Sequence, residues 1–295
     1  MIGSSTALVL GFGESLSQAR RLAEAAGLDF AEVAIHRFPD GESLVRVPPD
    51  LPEDLILYRS LDRPNDKLVE LMFTAAAARE QGARRLFLVA PYLCYMRQDT
   101  AFHPGEAVSQ RIVGNLLASW FDGLVTVDPH LHRVARLEDA VPANAAVLLT
   151  AAPLMGHFLG SAVPDALLVG PDEESLQWVS SVAAAHRLDY LIGSKERLGD
   201  RNVRIHFDGA DCRGRHLVLV DDVVSTGRTL EVATMELARL QPASISVLVT
   251  HALFVDGSDR RLADAGVGHI WSTDSIPHAS NRLPLAQLLA AALPI

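Results

Sequence analysis

The sequence contains few cysteines: Cys94 and Cys212 are the two among 295 residues. They lie far apart, and no Cys-x-x-Cys pair or other metal-ligand spacing accompanies them. No disulfide framework or cysteine-based metal site is therefore predicted. We expect both residues to be reduced thiols in a cytosolic protein, where disulfides are rare.

Positive charge is also scarce. The chain has 26 Lys and Arg residues against 36 Asp and Glu residues, which gives a formal net charge of -10 at pH 7. Proteins that coat nucleic acids or bind anionic membranes carry basic surfaces, so this balance argues against both kinds of partner. Anionic small substrates remain compatible, because a few local donors and a metal ion are enough to hold them.

Long hydrophobic runs are missing as well. The first residues, MIGSSTALVLGFGES, lack the basic segment and the long apolar stretch of a signal peptide. Charges interrupt the alanine-rich segments too often for a helix that crosses a bilayer. We therefore expect a cytoplasmic protein. Hydrophobic residues still make up 49% of the chain, which is enough for a sizeable core in one large or two ordinary domains.

Two common nucleotide-binding motifs are also absent. The chain has no GxxxxGK[ST] sequence, so it is not a P-loop kinase. A GxG occurs at Gly11 and Gly13, but the third glycine of the dinucleotide fingerprint is missing from its required position.

The chain does contain a regular alternation of apolar runs and helix-like stretches. The runs predict strands at 6–12, 54–60, 85–93, 123–129, 166–171, 216–222 and 244–253. The stretches between and after them predict helices at 15–27, 65–82, 109–120, 173–186, 229–241 and 284–293. Continuous apolar strands separated by amphipathic helices predict an α/β fold with mostly parallel sheets flanked by helices. Ligands of such folds bind beyond the carboxyl ends of the strands.

One strand end is unusually rich in polar groups. Residues 217–229 read LVLVDDVVSTGRT, so Asp221 and Asp222 end a predicted strand and a hydroxyl- and glycine-containing turn leads into a helix. Carboxylates accept hydrogen bonds from vicinal hydroxyls such as those of a ribose. Backbone N–H groups of such a turn and of a helix N-terminus hold a phosphate. The stretch therefore predicts a site for a 5-phosphorylated ribose.

This stretch resembles the phosphoribosyl-pyrophosphate (PRPP) loop of the phosphoribosyltransferase fold. Further segments, in family order, resemble the ribose-phosphate pyrophosphokinases, the PRPP synthetases. These segments are RFPDGES at 37–43, PYLCYMRQDTAFHPGEAVS at 91–109, VDPHLHR at 127–133, VGPDEES at 169–175, SKERLGDRNVRI at 194–205 and, more weakly, TDSIPH at 273–278. The FHPGEAVS part is most similar to the archaeal-type branch. The resemblance spans residues 38 to 278, and six ordered matches are improbable by chance.

The resemblance implies two similar domains of phosphoribosyltransferase type, residues 1–144 with the ATP loops and residues 145–295 with the sugar-phosphate and catalytic loops. It implies that Lys195 and Arg197 are catalytic and that His130 and Asp172 anchor Mg2+. The ATP-binding residues that it implies are Phe38, Asp40, Glu42, Arg97, Gln98, Asp99 and His130. The ribose 5-phosphate-binding residues that it implies are Asp221, Asp222, Ser225, Thr226, Gly227, Arg228 and Thr229.

The implied reaction transfers the pyrophosphoryl group of MgATP to O1 of ribose 5-phosphate and yields PRPP and AMP. In the family the FPDGE-like loop reaches the neighbouring subunit's active site. The resemblance therefore implies a homo-oligomer, a dimer at least, with tetramers and hexamers open. No nucleic-acid or membrane partner is expected.

Four positions depart from the family pattern. Ser225 stands where many synthetases have an acidic residue, and Arg228 stands where a glycine is common. Arg228 would either contact phosphate or, if its backbone required a positive φ, carry strain. Pro129 replaces a common leucine beside His130, and Glu196 separates the two basic loop residues. These changes predict altered affinity or regulation within the same reaction.

Two alternative functions stay open at this point. A phosphoribosyltransferase that consumes PRPP would explain the loop at 217–229, but it would leave the segments at 37–43, 91–109 and 194–205 unexplained. A non-catalytic regulatory subunit would resemble a synthetase, yet such homologues usually lose loop or metal residues. The presence of Lys195, Arg197, His130 and Asp172 favours an active enzyme.

Overall fold

The structure is a computed structural model that describes residues 7–131, 134, 136–197, 203–207 and 211–294. Its backbone divides into two compact units. Unit 1 comprises residues 1–149, 275–277 and 284–295, and unit 2 comprises residues 150–274 and 278–283. Each unit has its own sheet.

Unit 1 begins with strands and helices in alternation. Its elements up to residue 149 are β1 (Ala7–Gly11), α1 (Leu16–Ala26), β2 (Asp29–Glu32), β3 (Ala34–Arg37), β4 (Ser43–Arg46), β5 (Asp54–Tyr58), α2 (Pro64–Glu80), β6 (Arg85–Val89), α3 (Ser109–Trp120), β7 (Gly123–Val127), α4 (Leu137–Ala140) and β8 (Ala145–Leu149). Six of these strands form a sheet in the order β2-β1-β5-β6-β7-β8, and every neighbouring pair is parallel. Strands β3 and β4 form a separate antiparallel hairpin.

Unit 2 repeats this plan. Its elements are α5 (Ala152–Ala162), β9 (Leu167–Gly170), α6 (Leu176–His186), β10 (Asp189–Ile192), β11 (Ser194–Arg197), β12 (Val203–His206), β13 (His216–Val224), α7 (Arg228–Ala238), β14 (Ser244–Ala252), α8 (Ser258–Asp264), β15 (His269–Thr273) and β16 (Asn281–Leu283). The last helix of the chain, α9 (Ala286–Ala290), belongs to unit 1. The second sheet has the order β10-β9-β13-β14-β15-β16, again with parallel neighbours. Strands β11 and β12 form its hairpin.

The two sheets have the same strand order, position by position. In both, the first strand lies between an edge strand, which is the next strand of the sheet along the chain, and a third strand that follows a hairpin. A 3-10 turn precedes the helix that follows the first strand of each unit, at Gly13–Ser15 before α1 and at Glu173–Ser175 before α6. The similar rhythm of the two halves therefore reflects a shared architecture, although the residues that bear the chemistry differ.

The cores explain why the strands are continuously apolar. Helices cover both faces of each sheet, so residues on both sides of a central strand are buried. In unit 1, Leu10, Leu57 and Leu88 have no exposed surface. In unit 2, Leu219 and Val247 are likewise completely buried. The predicted α/β class with mostly parallel sheets flanked by helices is confirmed.

The predicted elements are found, with changes at their ends. The strand predicted at 216–222 continues to Val224, and the helix predicted at 284–293 is the shorter α9. The hairpins and the edge strands β2 and β10 were not predicted, because their strands are only four residues long and, apart from the buried Ile205, half-exposed or exposed where their burial is described. Short exposed strands lack a continuous apolar run.

The domain boundary predicted between residues 144 and 145 stays a prediction. It lies just before β8, which pairs with β7 in the sheet of unit 1. The division between compact units comes after Leu149, and the C-terminal residues 284–295 belong to unit 1. The alternation of strands and helices alone could not assign this last segment, because the apolar pattern of a helix does not show which unit it packs against.

Both cysteines are buried thiols. Burial raises the pKa of Cys94 to about 12, and burial together with the nearby Asp211 raises the pKa of Cys212. Across the described ranges, every helix is too short or too polar to span a bilayer.

We predict that replacing Leu57 by Ala lowers the free energy of unfolding by about 2–5 kcal/mol, because it removes buried contacts and leaves a cavity in the core of unit 1. Leu148→Ala serves as the control, since Leu148 is 46% exposed. It should change stability by less than about 0.5 kcal/mol. Urea denaturation checks this, and equal losses for both variants would contradict the assignment of the core.

Candidate active site

The two adjacent aspartates lie near the carboxyl end of β13. Asp222 is buried, whereas Asp221 keeps part of its surface exposed. The backbone N–H of Asp222 donates a hydrogen bond to Oδ1 of Asp221 at 3.0 Å. The two carboxylates therefore belong to the last part of the strand, three and two residues before its final residue Val224, and not to its end as predicted.

A third carboxylate lies at the same end of the sheet, where the parallel strands have their carboxyl ends. Asp172 is buried and follows β9, which pairs in parallel with β13, so both strands end at the same side of the sheet. Burial of the carboxyl group, with the negative charges of Asp222 and Asp172, raises the pKa of Asp221 well above its usual range. The protein thus keeps acidic groups together at a cost, as is common in functional sites.

The turn after β13 has the geometry expected of a phosphate loop. Gly227 has a φ of 69° and directly precedes α7, so the first turn of the helix starts from a left-handed residue. A Cβ atom at this position would lie 3.1 Å from the Cβ of Ser258. Both observations favour glycine here. The turn from Ser225 to Thr229 therefore presents backbone N–H groups at a helix N-terminus.

A second segment supports this turn from behind. The Oγ of Ser258 donates to the carbonyl of Ser225 at 2.8 Å, and Nη2 of Arg261 donates to the carbonyl of Thr226 at 2.9 Å. The backbone N–H of Val255 also donates to the carbonyl of Ser225, at 3.1 Å. These bonds occupy carbonyl groups of the turn and fix its backbone against the segment from Val255 to Arg261. Neither Ser258 nor Arg261 was predicted, because neither belongs to a motif.

Arg228 is free of the strain considered above. It is the first residue of α7 and has helical backbone geometry, so the positive φ falls on Gly227 instead. Its guanidinium is largely exposed and pairs with Glu231 of the same helix at 3.3 Å. Nothing in these contacts requires glycine at 228.

The predicted nucleotide loop forms the tip of the β3–β4 hairpin. The turn closes through hydrogen bonds from the N–H of Phe38 to the carbonyl of Glu42 and from the N–H of Gly41 to the carbonyl of Phe38, at 2.8 and 3.0 Å. Asp40 accepts from the N–H of Glu42 at 3.2 Å. Phe38 is 40% exposed, and its ring meets His36 edge to face at 4.8 Å. An exposed aromatic ring on a defined turn offers a surface for a base.

The other predicted ATP-binding residues follow β6 and β7, which are neighbours in the sheet of unit 1. Arg97 is exposed, and Gln98 and Asp99 are half-exposed. The carbonyl of Gln98 accepts from the N–H of Gln110 at 3.1 Å, which ties this segment to α3. His130 is half-exposed two residues after Asp128, whose backbone has a φ of 39°.

The site residues are divided between the units. The predicted ATP-binding residues belong to unit 1, and the predicted sugar-phosphate residues with Asp172 belong to unit 2. Lys195 and Arg197 are in β11 of the second hairpin; their side chains and residues 198–202 lie outside the described part. The two predicted metal ligands, His130 and Asp172, belong to different units. Within the described ranges, no group of three or more His, Cys, Asp or Glu side chains is arranged as a metal cage.

A buried ion network in unit 1 was missed by the sequence analysis. Arg59 follows β5 as Asp221 follows the apolar part of β13, and only 2% of it is exposed. Its Nε donates to Glu14 at 2.7 Å, and its Nη2 donates to Glu70 at 2.5 Å. Burial alone would raise the pKa of Glu14, but Arg59 and Lys67 outweigh it and lower that pKa. A charged residue directly after an apolar strand was the available signal.

The fold and the loop at 221–229 together define a protein built from phosphoribosyltransferase-type domains. Residues 8–120 match the model of the N-terminal domain of ribose phosphate pyrophosphokinase, and residues 160–281 match that of the phosphoribosyl transferase domain. The chain is 36% identical over 289 residues to a ribose-phosphate pyrophosphokinase of Methanopyrus kandleri, covering 97% of this chain and 98% of that protein. The chain belongs to the ribose-phosphate pyrophosphokinase family.

Other archaeal relatives agree. Ribose-phosphate pyrophosphokinase 2 of Archaeoglobus fulgidus is 34% identical over 274 residues, which cover 92% of this chain and 94% of that protein. The fold is similar to the crystal structure of phosphoribosylpyrophosphate synthetase from Mycobacterium smegmatis, with a TM-score of 0.83, 22% identity and coverage of 97% of both chains. The family and the archaeal-type resemblance predicted from the sequence are confirmed.

We predict that Asp221→Asn stabilises the metal-free protein at neutral pH. Because the pKa of Asp221 is raised in the folded state, deprotonation costs stability as pH rises from the unfolded pKa to the folded one. The asparagine variant lacks this loss, so its gain in melting temperature should be largest near pH 8 and shrink towards pH 4. Thermal unfolding in chelator-treated buffer measures it. A gain that grows towards acid would contradict the predicted direction.

Proposed function

We propose that this protein makes PRPP by transferring the pyrophosphoryl group of MgATP to O1 of ribose 5-phosphate, with AMP as the second product. The observation that carries the proposal is the edge of unit 2, where paired aspartates in β13 lead into the turn with Gly227 at the start of α7. Carboxylates followed by a helix N-terminus suit a molecule that has ring hydroxyls at one end and a phosphate at the other.

In this proposal Asp221 and Asp222 hold the ribose hydroxyls, directly or through metal-bound water. Backbone N–H groups and hydroxyls of residues 225–229 hold the 5-phosphate. The bonds from Ser258 and Arg261 support this role, since they fix the turn before the sugar arrives. A prearranged turn avoids the entropy loss of ordering it on binding.

ATP would be held by unit 1. Phe38 supplies an aromatic surface for the adenine, and Asp40 and Glu42 orient the turn and its polar contacts. Arg97, with Gln98 and Asp99, lies in the second nucleotide segment, where a guanidinium can both pair with phosphate and stack on a base. His130 would contact the metal-bound triphosphate of the nucleotide.

The acidic residues suit Mg2+, which prefers oxygen ligands and keeps several of its waters. The raised pKa of Asp221 supports this assignment, because a cation would relieve the repulsion among the carboxylates. Asp172 and His130 would anchor the ion, in part through water. The ion supplies charge neutralisation to the triphosphate when bound. Among the described residues no complete protein cage is formed, which is compatible with Mg2+ held largely by substrate phosphates.

The transfer forms a bond between O1 of the sugar and the β-phosphorus of ATP. The bond from that phosphorus to the oxygen shared with the α-phosphorus breaks, and AMP leaves. Positioning and charge stabilisation dominate such reactions. Lys195 and Arg197 are proposed to close over the transferring group, stabilise its charge and exclude water that would hydrolyse ATP.

We also propose a cytoplasmic homo-oligomer, a dimer at least. An enzyme that supplies PRPP serves nucleotide biosynthesis. The non-catalytic regulatory subunit remains the second candidate. The departures at Ser225, Arg228 and Pro129 keep it in view, although we expect them to alter affinity or regulation within the same reaction.

Product analysis tests the proposed function. Purified protein is incubated with MgATP, with and without ribose 5-phosphate, and the products are identified by mass spectrometry. We expect AMP and PRPP to form only when the sugar phosphate is present. Absence of both products, with ATP and sugar phosphate still bound, would overturn the proposed catalysis and favour the regulatory subunit.

We predict that Lys195→Ala lowers kcat by about 10²-fold or more and leaves the Kd for ribose 5-phosphate nearly unchanged, because the lysine acts mainly in the transition state. Lys195→Arg keeps the charge and should recover part of the activity. Steady-state kinetics and calorimetry measure the two effects. Near-normal turnover in the alanine variant would remove Lys195 from the mechanism.

We predict that Gly227→Ala raises the KM for ribose 5-phosphate about tenfold and leaves the KM for ATP within twofold. The alanine adds backbone strain of about 1 kcal/mol or more at a positive φ and brings its Cβ against Ser258. Gly214→Ala is the matched control, because Gly214 also has a positive φ but no atom within 4 Å of a built Cβ. Equal effects on sugar phosphate binding would contradict the phosphate-loop assignment.

A further inference from the structure

Glu70 of α2 is a buried carboxylate that joins two parts of unit 1. It has no exposed surface, and its Oε2 accepts the short hydrogen bond from Arg59 at the end of β5. Its Oε1 turns the other way and accepts from Nη2 of Arg37 at 3.2 Å and from Oγ of Ser43 at 3.0 Å. One side chain therefore links the carboxyl end of β5 to the β3–β4 hairpin.

The two hairpin partners occupy a particular place. Arg37 is the last residue of β3, Ser43 is the first residue of β4, and the two are paired across the hairpin. They are the residues that flank the turn from Phe38 to Glu42. Glu70 thus binds both sides of the turn at its base, where a small displacement would be amplified at the tip.

Apolar packing holds the strands of the hairpin but not its tip. Ile35 and Val45 pack against the core of unit 1. Beyond them, a cavity of about 390 Å³ separates the turn from α2, and its lining residues are Gly41, Glu42, Ser43, Asp66, Val69 and Phe73. The orientation of the tip therefore depends on polar contacts more than on close packing.

The start of α2 also contacts the second predicted ATP segment. Asp66 accepts from Nη1 of Arg37 at 3.0 Å, and Asn65 accepts from the hydroxyl of Tyr95 at 2.5 Å. Tyr95 lies two residues before Arg97 in the chain. The first two turns of α2 thus connect both segments that are proposed to bind ATP.

We propose that Glu70 is a positioning residue for ATP: it orients the nucleotide turn through Arg37 and Ser43 while Arg59 fixes its own side chain. The inference rests on the proposed function, since it assumes that the turn binds ATP. Arg59 makes Glu70 rigid, because a buried carboxylate that is paired in this way cannot rotate without losing its partner. Arg37 and Ser43 at the base of the hairpin are therefore held by a fixed acceptor.

The test separates positioning from general stability by altering the hairpin side of the network. Ser43→Ala and Arg37→Ala each remove one bond to Oε1 and leave the buried pair of Glu70 and Arg59 intact. Ser43→Thr keeps the hydroxyl and serves as the rescue variant. Arg84→Ala is the matched control, because Arg84 is an exposed arginine of unit 1 that pairs with Glu53 at 3.2 Å, away from the hairpin contacts.

Calorimetry with α,β-methylene ATP and Mg2+ measures nucleotide binding without turnover. We expect Ser43→Ala and Arg37→Ala to weaken binding by about three- to tenfold each, the loss of a charge-assisted hydrogen bond that orders a site. Ser43→Thr and Arg84→Ala should stay within twofold of the parent protein. Ribose 5-phosphate binding should be unchanged in all four variants.

Glu70→Gln adds a second measurement. The amide keeps one oxygen acceptor but removes the negative charge that Arg37 pairs with. Because Glu70→Gln and Arg37→Ala then weaken the same contact, the double variant should bind the analogue less weakly than the product of the two single effects predicts. Hydrogen exchange of the turn amides should accelerate in Ser43→Ala and not in Arg84→Ala. If Glu70→Gln does not fold, the hairpin variants still decide the matter.

The proposal is overturned if Ser43→Ala and Arg37→Ala bind the analogue as the parent does, or if they weaken ribose 5-phosphate binding equally. Failure of the proposed function is a separate outcome. A parent protein that binds the analogue but forms no PRPP would refute catalysis and leave the positioning role of Glu70 intact, provided that the hairpin variants weaken binding.

Discussion

Parallel pairing of the central strands is the constraint on which the rest of the structure depends. Because neighbouring strands run in the same direction, the loops that follow their carboxyl ends, and the helix N-termini after those loops, lie together at one end of each sheet. Asp172 after β9 and Asp221 in β13 are brought together in this way, although 49 positions separate them in the sequence numbering from 172 to 221. A local motif becomes a site through this geometry.

The two units carry opposite charges at the carboxyl ends of the equivalent strands β13 and β5. In unit 2 the strand carries Asp221 and Asp222, and burial of the carboxyl group of Asp221, with the like charges of Asp222 and Asp172, raises the pKa of Asp221. In unit 1 the position after β5 carries Arg59, which Glu14 and Glu70 neutralise at hydrogen-bond distance. The carboxyl end of the strands in unit 2 therefore gathers acidic groups, whereas in unit 1 the protein's own side chains neutralise Arg59, and one of them, Glu70, also binds the β3–β4 hairpin.

The sequence predicted the central strands and the loop at 225–229, because continuous apolar runs and glycine turns are local signals. It did not predict the contacts of Glu70 or Arg261, since these join residues that only the strand order brings together. The hairpins were also missed, because strands of four residues are too short to show a distinctive period. The sequence raised the strain at Arg228 as a question, and the helical start at that residue resolves it.

The buried thiol of Cys94 has a consequence for the conditions under which the protein can work. Cys94 lies in the core beside the segment that leads to Arg97, and burial raises its pKa to about 12. Oxidants attack the thiolate, which is almost absent at physiological pH for such a group. The thiol of Cys94 is therefore a poor target for oxidants, and the packing around it protects this position of the segment that precedes Arg97.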